Sequence, residues 1–562
     1  MDLGAARVLT TPDDHDQATD YPATDAPATC HQATCPTTDD PVRYDYVVVG
    51  AGSAGAPLAA RLSAHPGRRV LVLEAGPGRD LDAVGVPAAF PTLFGSEVDW
   101  AYRTVPQPRL GGRSIRWPRG RALGGSSAIN AMMWVRGHPA DYDEWAEHAG
   151  EQWGHRAVQP YFRRIEGAEE AIAAHHGRGG PLSLRRQLDP NPLTAAYLAA
   201  CAQVGLPRHE VANGAEPDGA AEAVVTQRGG RRWSTADAYL RPAAGRANLT
   251  VLTDAHVTRV LFRGRRAVGV EYLRAGRRTR VHATGEVVLC GGAVNSPHLL
   301  LLSGVGPAPQ LRDLGVPVVH HSPEVGGGLR DHLVTLVHAD CREPITLAGA
   351  TGLRHVARYL SERRGMLTSN LAEAYAFARS DPRLALPDLE LLFVPGPFSD
   401  DGLTPPDRHV VTLGAVLLRP RSTGTIRLVS PDPLAVPRID PGYLGDDEDR
   451  RVLTAGLRWC ERILAAPALA RHLDRDPDRA DPVGGDLIEA RSQTLYHPVG
   501  TCRMGRDAAS VVDPDLRVRG TVGLRVADAS VMPVLVRGHT HAPSVLVGER
   551  AADLIAAAEV AG

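Results

Sequence analysis

The sequence contains no lysine, so its 62 basic residues are all arginine. Without a lysine amine the chain cannot form a Schiff base with a carbonyl substrate, anchor pyridoxal phosphate or provide the lysine of a phosphate-binding P-loop. A GC-rich genome that favours arginine codons explains the absence without a functional cause and indicates a bacterial source. The excluded chemistries are the same under either explanation.

Cysteine is also scarce. The chain has seven cysteines, an odd number, and their spacing matches neither a metal site nor a disulfide framework. We therefore expect a reducing compartment. No apolar run approaches the roughly 18 residues that a membrane-spanning helix needs, and the N-terminus lacks the basic and apolar stretches of a secretory signal. These absences predict a soluble, cytoplasmic protein with no membrane span and no metal centre.

Charge is nearly balanced. The formal net charge of −2 gives no electrostatic basis for binding nucleic acid or an anionic membrane. The composition, 43% hydrophobic and 22% charged, is typical of a globular protein, and 562 residues exceed the size of one ordinary core. Residues 1–41 are rich in Thr, Ala, Asp and Pro and have no hydrophobic periodicity, which predicts a disordered tail.

Order is predicted to begin at residues 43–76, which read RYDYVVVGAGSAGAPLAARLSAHPGRRVLVLEAG. The apolar run at 46–49 is typical of a buried parallel strand, and residues 53–64 favour a helix with leucines on one face. The stretch RRVLVLE indicates a second buried strand. Strand, helix and strand in this order form a βαβ unit.

A G-x-G-x-x-G motif, made of Gly50, Gly52 and Gly55, joins the first strand to the helix. Gly50 permits a tight turn, Gly52 lets the backbone approach a pyrophosphate, and Gly55 allows close packing of helix on strand. The unpaired N–H groups at the helix start attract an anion. Glu74 ends the second strand, where a carboxylate can accept a hydrogen bond from a ribose 2′-OH. The pattern predicts a dinucleotide site.

The rest of the chain indicates two domains. Residues 247–306 contain strands and Gly-rich turns and end in a strand, a Gly turn and a helix, which predicts a Rossmann-like domain with an inserted antiparallel layer. Residues 340–485 are typical of a second domain, with a helix at about 446–466. The long Gly- and Arg-rich loop at 107–137 is of a kind that is usually functional. Its LGGSS run is compatible with binding a flat ring or a phosphate, and equally with an ordinary Gly-Ser loop.

Five segments that lie between residues 44 and 555 form a recognisable series. They are YDYVVVGAGSAGAPLAARL, RGRALGGSSAINAMMWVRGHPADYDEWA, VVLCGGAVNSPHLLLLSGVG, LYHPVGTCRMG and LRVADASVMPVLVRGHTHAPSVLVGERAADLI. Together they resemble the glucose–methanol–choline (GMC) family of FAD-dependent oxidoreductases. The resemblance implies an α/β (α+β overall) protein with a Rossmann-like FAD-binding domain, made of residues 41–155, 225–330 and 491–562. A second, mostly antiparallel-sheet domain, made of residues 156–224 and 331–490, would bind the substrate.

The resemblance also implies how FAD is held. The pyrophosphate would lie on the 50–55 turn, Glu74 would hold the adenosine ribose, and the backbone of Val257 would meet the adenine. The flavin ring would pack near Asn130 to Met133, and Asp528 and Ala529 match the segment under the ribityl chain of the flavin. The full set of expected cofactor-binding residues is Gly50, Gly52, Ser53, Ala54, Gly55, Glu74, Arg121, Gly124, Gly125, Ser126, Asn130, Ala131, Met132, Met133, Val257, Asp528, Ala529, His541 and Ala542.

Attachment of the flavin is predicted to be non-covalent. Some members of the family bind FAD through a histidine just before the Asn of this loop, and here that position is Ile129. An aliphatic side chain cannot form that bond, so acid unfolding should release free FAD.

Three histidines near the C-terminus are the candidates for the catalytic groups. By resemblance, His497 matches the catalytic base, and Pro498 restricts it to extended backbone. His541 matches the second catalytic position and would orient the substrate oxygen. His539 stands where many members have Asn, so its role stays open between cofactor contact and packing. Residues expected to line the substrate pocket are Tyr496, Tyr375, Phe377 and Phe393.

The predicted reaction is oxidation of a primary or secondary alcohol to a carbonyl. His497 takes the hydroxyl proton, FAD takes the hydride, and oxygen or another acceptor reoxidises the flavin. One alternative is a flavin-containing lyase similar to hydroxynitrile lyases, in which FAD is not redox-active. Another is a binding protein that merely retains FAD. No anionic aromatic cage for a quaternary amine is evident, so choline is not favoured as substrate.

Overall fold

The computed structural model describes residues 43–79, 81–211, 219–404, 408–474 and 485–561. The predicted disordered tail, residues 1–41, lies outside these ranges. Two seven-stranded sheets dominate the described part, and helices and short two-stranded ribbons surround them.

The first sheet is built on valine- and leucine-rich strands that are buried on both faces, the pattern that favours a parallel arrangement. Its parallel part has the order Leu249–Leu252, Val70–Leu73, Arg43–Val49, Arg277–Leu289 and Leu524–Val526. The thirteen-residue strand Arg277–Leu289 continues beyond this part, where its polar N-terminal half pairs antiparallel with Arg266–Arg274. His256–Arg263 completes the meander. This is the Rossmann-like sheet with an antiparallel extension that the sequence predicts.

The second sheet is antiparallel at every pairing. Its order is Leu473–Asp474, Leu333–Cys341, Val410–Leu417, Leu389–Val394, Ala374–Ala378 and Gly219–Glu222, and Ser492–Thr494 also pairs with Leu333–Cys341. The helix Asp447–Ala465, predicted at about 446–466, covers one face. At Gly456 an added Cβ would lie 2.9 Å from the Ala415 Cβ, so glycine permits the close approach of helix to sheet.

Further helices surround the sheets. In the described ranges the α-helices of six residues or more are Gly55–Leu62, Pro139–Ala149, His155–Ile165, Pro192–Gln203, Gly292–Leu302, Ala308–Asp313, Leu353–Glu362, Asp447–Ala465, Gly485–Arg491 and His541–Ala561, and Pro87–Leu93 is a 3-10 helix. The shorter ones are Asp82–Gly85, Arg241–Ala243 and Pro467–Ala470, and Ala236–Leu240 is a π-helical turn. The two-stranded ribbons pair Tyr102–Arg103 with Arg116–Trp117, Glu166–Ala168 with Leu182–Leu184, Gln227–Arg228 with Arg231–Arg232, Val305–Gly306 with His320–His321, and Thr425–Arg427 with Arg438–Asp440.

The predicted fold class is confirmed by this arrangement of a Rossmann-like sheet and a separate antiparallel sheet. All strands of the first sheet fall in the segments predicted for the cofactor domain. Ser492–Thr494, however, falls in one of those segments and pairs with the second sheet. The division into two domains at the stated boundaries stays a prediction. Within the described ranges, no helix combines the length and apolar character needed to cross a membrane.

Candidate active site

A deep cavity lies between the two sheets. On one side it is lined by residues at the carboxyl ends of the parallel strands, among them Val49, Leu73 and Leu289. This is the edge at which open α/β sheets bind ligands. On the other side it is lined by one face of the antiparallel sheet, through Val334, Leu336, Leu392, Val394, Thr412 and Gly414.

The three motif glycines are each required by geometry. Gly50 has a φ of +102°, and an added Cβ would lie 2.5 Å from the Cys290 carbonyl oxygen. At Gly55 a Cβ would lie 2.0 Å from the Gly50 oxygen, so a side chain would push the helix off the strand. Gly52 faces the cavity, and its nearest neighbour there is the Gly125 Cα, 3.6 Å from an added Cβ. The turn thus exposes bare backbone to a ligand.

Glu74 ends its strand in the cavity wall, and its carboxylate also fixes the glycine turn. One oxygen accepts the Ala51 N–H at 2.9 Å and the other accepts the Gly76 N–H at 2.9 Å. Burial raises the pKa of Glu74 and the two N–H bonds oppose this. Each carboxylate oxygen can accept a second hydrogen bond, so Glu74 can bind a ribose hydroxyl while it holds the turn.

The loop after Gly124 forms the opposite side of the cradle. Gly125 has a φ of +53°, and a Cβ there would lie 2.6 Å from the Gly52 Cα, so only glycine allows the two loops to touch. Asn130 follows, and its side-chain oxygen accepts from Met132 N at 3.0 Å and from Arg232 Nη1 at 2.8 Å. The position of the loop is therefore set by a buried arginine that the sequence gives no reason to single out.

Asp528 holds the residues of a third wall of the cavity in place through hydrogen bonds. Its carboxylate accepts the Gly292 N–H at 2.9 Å, the Ser530 N–H at 2.8 Å, and both the Ser296 and Ser530 hydroxyls. Four protein donors use the hydrogen-bonding capacity of the carboxylate, and burial raises its pKa. Asp528 thus shapes the wall, and Ala529 beside it presents only a small side chain to the cavity.

Most of the predicted site residues line this single cavity. On its wall are Gly50, Gly52, Ser53, Ala54, Glu74, Gly125, Ser126, Asn130, Ala131, Met132, Met133, Val257, Tyr496, His497, Asp528, Ala529 and His541. Behind the wall are Gly55, Arg121, Gly124, Ala542, Tyr375, Phe377 and Phe393. Arg121 packs over the ring of Trp100, which is itself in the wall, and the Gly124 N–H donates to the Ala51 carbonyl at 2.8 Å.

The three aromatic residues predicted for the substrate pocket need correction. Phe393 points away from the cavity and stacks on Tyr197, because side chains alternate between the two faces of a strand. Its neighbours Leu392 and Val394 line the cavity instead. Tyr375 and Phe377 lie on the cavity-facing side of the sheet but pack against each other, with ring centroids 5.4 Å apart, behind the wall.

His497 is held by its backbone. The buried Asp331 carboxylate accepts the His497 N–H at 2.7 Å and the Thr494 hydroxyl at 2.6 Å. The preceding residue, Tyr496, has a φ of +66°, a conformation that is costly for a bulky side chain. Its hydroxyl donates to Asp401 at 2.6 Å, and Arg119 donates to its carbonyl at 2.7 Å, which compensates for the strain.

The protonation of the His497 ring follows from its hydrogen bonds. His332 Nε2 lies 3.1 Å from the Leu418 carbonyl, which can only accept, so Nε2 carries the hydrogen. Burial lowers the pKa of His332 to about 3, so the ring is neutral and its Nδ1 is an acceptor. His497 Nδ1 lies 2.9 Å from His332 Nδ1 and must therefore donate to it. A neutral His497 with its hydrogen on Nδ1 has a lone pair on Nε2.

The Nε2 lone pair belongs to His497, which lines the cavity. Burial lowers the pKa of His497 well below its ordinary value, and the neighbouring His539, His332 and Arg119 lower it further. The ring is thus neutral at physiological pH. A neutral imidazole with a fixed tautomer and a free Nε2 is equipped to accept a proton from a bound ligand.

His541 begins the long helix His541–Ala561 and also lines the cavity. Its ring packs edge-on against Trp134, with centroids 5.6 Å apart, and neither Nδ1 nor Nε2 has a hydrogen-bond partner among the residues that the structure describes. Burial lowers its pKa to about 4, with a further contribution from Arg232. Buried polar nitrogens without partners are rare, so this ring is suited to a ligand that supplies the missing hydrogen bond.

His539 shares the wall with His497, and their ring centroids are 4.8 Å apart. Its Nε2 lies 2.9 Å from Glu390 Oε1, and both side chains are buried. The sequence leaves His539 open between cofactor contact and packing. The structure gives it a wall position and a carboxylate partner.

Three partners of the active-site histidines are not predicted from the sequence: Asp331, His332 and Glu390. Each lies more than a hundred residues from the histidine that it contacts. The sequence DHL at 331–333 carries no spacing signal, and Glu390 sits in an otherwise apolar strand, LELLFV. A charged residue inside a buried strand is the one local sign that could have drawn attention to Glu390.

Comparison with known proteins relates most of the chain to one family. Two family models described as GMC oxidoreductase match residues 44–334 and 420–548. An uncharacterized GMC-type oxidoreductase of Mycobacterium tuberculosis is 55% identical over an alignment of 526 residues that covers 91% of this chain and 99% of the relative.

Two further proteins are informative. An alcohol dehydrogenase [acceptor] of Pseudomonas putida is 44% identical over an alignment of 527 residues that covers 91% of this chain and 95% of the relative. Among solved structures, pyridoxine 4-oxidase from Mesorbium loti superposes with a TM-score of 0.83 at 34% identity. The match covers 91% of this chain and 98% of that structure.

Proposed function

This chain belongs to the GMC oxidoreductase family of FAD-binding enzymes, and on that premise we propose that it oxidises a primary or secondary alcohol to the carbonyl compound. His497 accepts the hydroxyl proton and His541 orients the oxygen. Oxygen or another acceptor reoxidises the flavin.

The fixed tautomer of His497 is the single observation that carries the proposal. The hydrogen bonds from His497 to His332, and from His332 to Leu418, leave Nε2 as an unprotonated nitrogen at the cavity wall. When bound, FAD supplies the acceptor for the hydride that leaves the carbinol carbon. The protein supplies the base that removes the hydroxyl proton and so makes that hydride easier to release.

His541 is suited to the second role. Both of its ring nitrogens lack hydrogen-bond partners within the described part of the chain, so it can hydrogen-bond the substrate oxygen beside His497. Its helix also begins at the cavity, where unpaired N–H groups and the helix dipole favour negative charge. We propose that this helix start faces the flavin and stabilises its reduced, anionic form.

The residues in place fit FAD. The turn at Gly50 and Gly52, the carboxylate of Glu74 and the close Gly52–Gly125 contact form a cradle that side chains would fill. We propose non-covalent attachment, since the position of the covalent histidine in some members is Ile129, a buried aliphatic residue packed beside Phe94.

The substrate side of the cavity is apolar. Its side chains include Phe90, Phe94, Phe398, Leu336, Leu392 and Val394. The only acidic residues in the described wall, Glu74 and Asp528, hold backbone and lie on the cofactor side. A quaternary amine would therefore find no carboxylate, and a sugar would find few polar partners. We propose an alcohol with an aliphatic or aromatic body.

An anaerobic alcohol panel tests the proposal. Flavin absorbance is followed after each alcohol is added to the purified protein, and the carbonyl product is then measured. His65→Ala, at an exposed histidine outside the cavity, is the matched control for histidine removal. The proposal predicts bleaching with at least one apolar alcohol. Cleavage of a hydroxynitrile without bleaching would identify a lyase instead.

A further inference from the structure

The helix Leu353–Glu362, with the sequence LRHVARYLSE, presents apolar side chains to solvent. Leu353 and Leu360 are 89% and 66% exposed, which makes them the two most exposed leucines in the described part of the chain. Ala357, also exposed, lies between them. Spacings of four and three residues place the three side chains on one face of an α-helix, so they form a continuous apolar stripe.

Another side of this helix holds it to the protein. Tyr359 is buried, its hydroxyl donates to the Gly85 carbonyl at 3.3 Å, and the guanidinium of Arg363 packs over its ring. The attachment of the helix therefore does not use Leu353 or Leu360, and the stripe is available to a partner.

Basic side chains border the apolar stripe. Arg354 and Arg358 form an exposed row beside it, and residues 351–365 contain four arginines and one glutamate. That glutamate, Glu362, pairs with Arg358 at 3.3 Å, but both side chains are more than half exposed, so the pair is weak. An apolar face bordered by arginines is typical of helices that lie on anionic lipid surfaces.

The charge of this segment differs from that of the whole chain. The net charge of −2 gives the molecule no overall attraction to an anionic membrane. Attraction to a lipid surface falls off within about 10 Å at an ionic strength of 0.1 M, so the segment in contact decides its sign. Residues 351–365 have an excess of arginine and fit a negatively charged surface.

The helix lies beside the apolar half of the cavity. The carbonyl that accepts the Tyr359 hydroxyl lies just before the 3-10 helix Pro87–Leu93, whose Phe90 lines the cavity. After the helix, the turn Met366–Thr368 packs against this 3-10 helix and leads to Leu371, which also lines the cavity. A surface that binds the helix would thus lie close to the substrate side.

We propose that the helix Leu353–Glu362 lies on the surface of an anionic lipid bilayer and holds the enzyme there. Leu353 and Leu360 enter the boundary between headgroups and acyl chains, and Arg354 and Arg358 contact lipid phosphates. A helix of 10 residues is about 15 Å long, half the thickness of the hydrocarbon core, so it lies on the membrane and does not cross it.

The proposed function gives this contact a purpose, and this step of the inference rests on that function. An alcohol with an aliphatic or aromatic body leaves water for the apolar interior of a bilayer. An enzyme held at the membrane surface has the apolar half of its cavity near that store of substrate.

Vesicle binding tests the proposal without any alcohol. The FAD-containing protein is sedimented with vesicles made of equal parts phosphatidylcholine and phosphatidylglycerol, and with vesicles of phosphatidylcholine alone, over a range of lipid concentrations. One double variant, Leu353→Gln with Leu360→Gln, removes the stripe. Another, Arg354→Gln with Arg358→Gln, removes two charges, and glutamine preserves the helix propensity in both.

Two further double variants are matched controls. Leu384→Gln with Leu434→Gln removes leucines that are 37% and 56% exposed outside this helix. Arg277→Gln with Arg278→Gln removes two exposed arginines from the antiparallel part of the first sheet. FAD content and melting temperature verify that each variant is folded.

The parent protein should bind the anionic vesicles, and less so at high salt or on phosphatidylcholine alone. Partitioning should fall by on the order of tenfold in each helix variant, through lost apolar burial in one and lost attraction to anionic headgroups in the other. Both control variants should bind like the parent protein.

Failure of the parent protein to bind anionic vesicles would refute the proposal, as would unchanged binding in Leu353→Gln with Leu360→Gln. An equal loss in the Arg277→Gln control would show that any basic surface suffices and would refute the role of the helix. A dimer in sedimentation velocity that only the leucine variant abolishes, without vesicle binding, would assign the stripe to a second copy instead. Because no alcohol is present, failure here is distinct from failure of the alcohol panel.

Discussion

Replacing His332 with leucine should slow alcohol oxidation although His332 does not line the cavity. His332 accepts the hydrogen of His497 Nδ1 at 2.9 Å and is itself fixed by the Leu418 carbonyl at 3.1 Å. Leucine has a similar size but offers no acceptor. His497 would keep its place in the wall, yet nothing would hold its hydrogen on Nδ1.

The size of the effect follows from the lost hydrogen bond. Leaving a buried N–H without a partner costs about 1–3 kcal/mol, which favours the other tautomer or a rotated ring. Since about 1.4 kcal/mol corresponds to tenfold in rate, flavin reduction should slow by roughly 10- to 100-fold. His332→Asn keeps a side-chain oxygen near the position of Nδ1 and should retain most of the rate.

The assay is anaerobic stopped-flow bleaching of the flavin over a range of pH. FAD content and melting temperature are measured for each variant, so that loss of cofactor or fold is separated from loss of the base. A rate for His332→Leu within twofold of the parent, at full FAD content, would refute the tautomer argument. Equal slowing in His332→Asn would show that volume, and not the acceptor, matters.

Three further predictions follow from the same geometry. His541→Ala should lower the rate of flavin reduction by roughly 10²-fold, which is the lower end of the range for a group that assists proton transfer. FAD should stay bound in this variant. Loss of FAD from its absorbance spectrum would point to a structural role for His541. Acid precipitation should release all the FAD into the supernatant because Ile129 cannot bond it, and flavin retained in the pellet would contradict non-covalent attachment. Stability should fall between pH 7 and pH 5: burial lowers the folded-state pKa of His332 to about 3 and of His541 to about 4. The unfolded chain therefore binds more protons below pH 6.5, and each histidine costs about 2 kcal/mol at pH 5. A melting temperature that does not fall over this range would show that these rings are not buried and neutral.

The cofactor half of the site could be predicted from sequence because its signals are local. Gly50, Gly52 and Gly55 lie within six residues, and their roles follow from backbone geometry that any βαβ unit imposes. Glu74 follows the next strand, so its place at the cavity edge is fixed by the parallel sheet. The LYHPVG and GHTHAP segments carry the histidines on loops that the fold brings to the same cavity.

The substrate half could not be predicted, because its residues come from a sheet whose register the sequence does not show. The expectation that Phe393 lines the pocket is wrong, because neighbouring residues of a strand face opposite sides of the sheet and Phe393 stacks on Tyr197. The partners of the histidines, His332 and Glu390, are set by long-range pairing of strands and loops. Their hydrogen bonds join positions 165 and 149 residues apart, which no local pattern encodes.

The central claim is that His497 is the proton acceptor, and His497→Ala tests it most directly. The variant should remain yellow with bound FAD but should bleach with the best alcohol at least about 100-fold more slowly than the parent, since a general base contributes 10²–10⁴ in rate. His65→Ala should bleach at the parent rate. If His497→Ala bleaches as fast as the parent at neutral pH, the base is another group and the account is wrong.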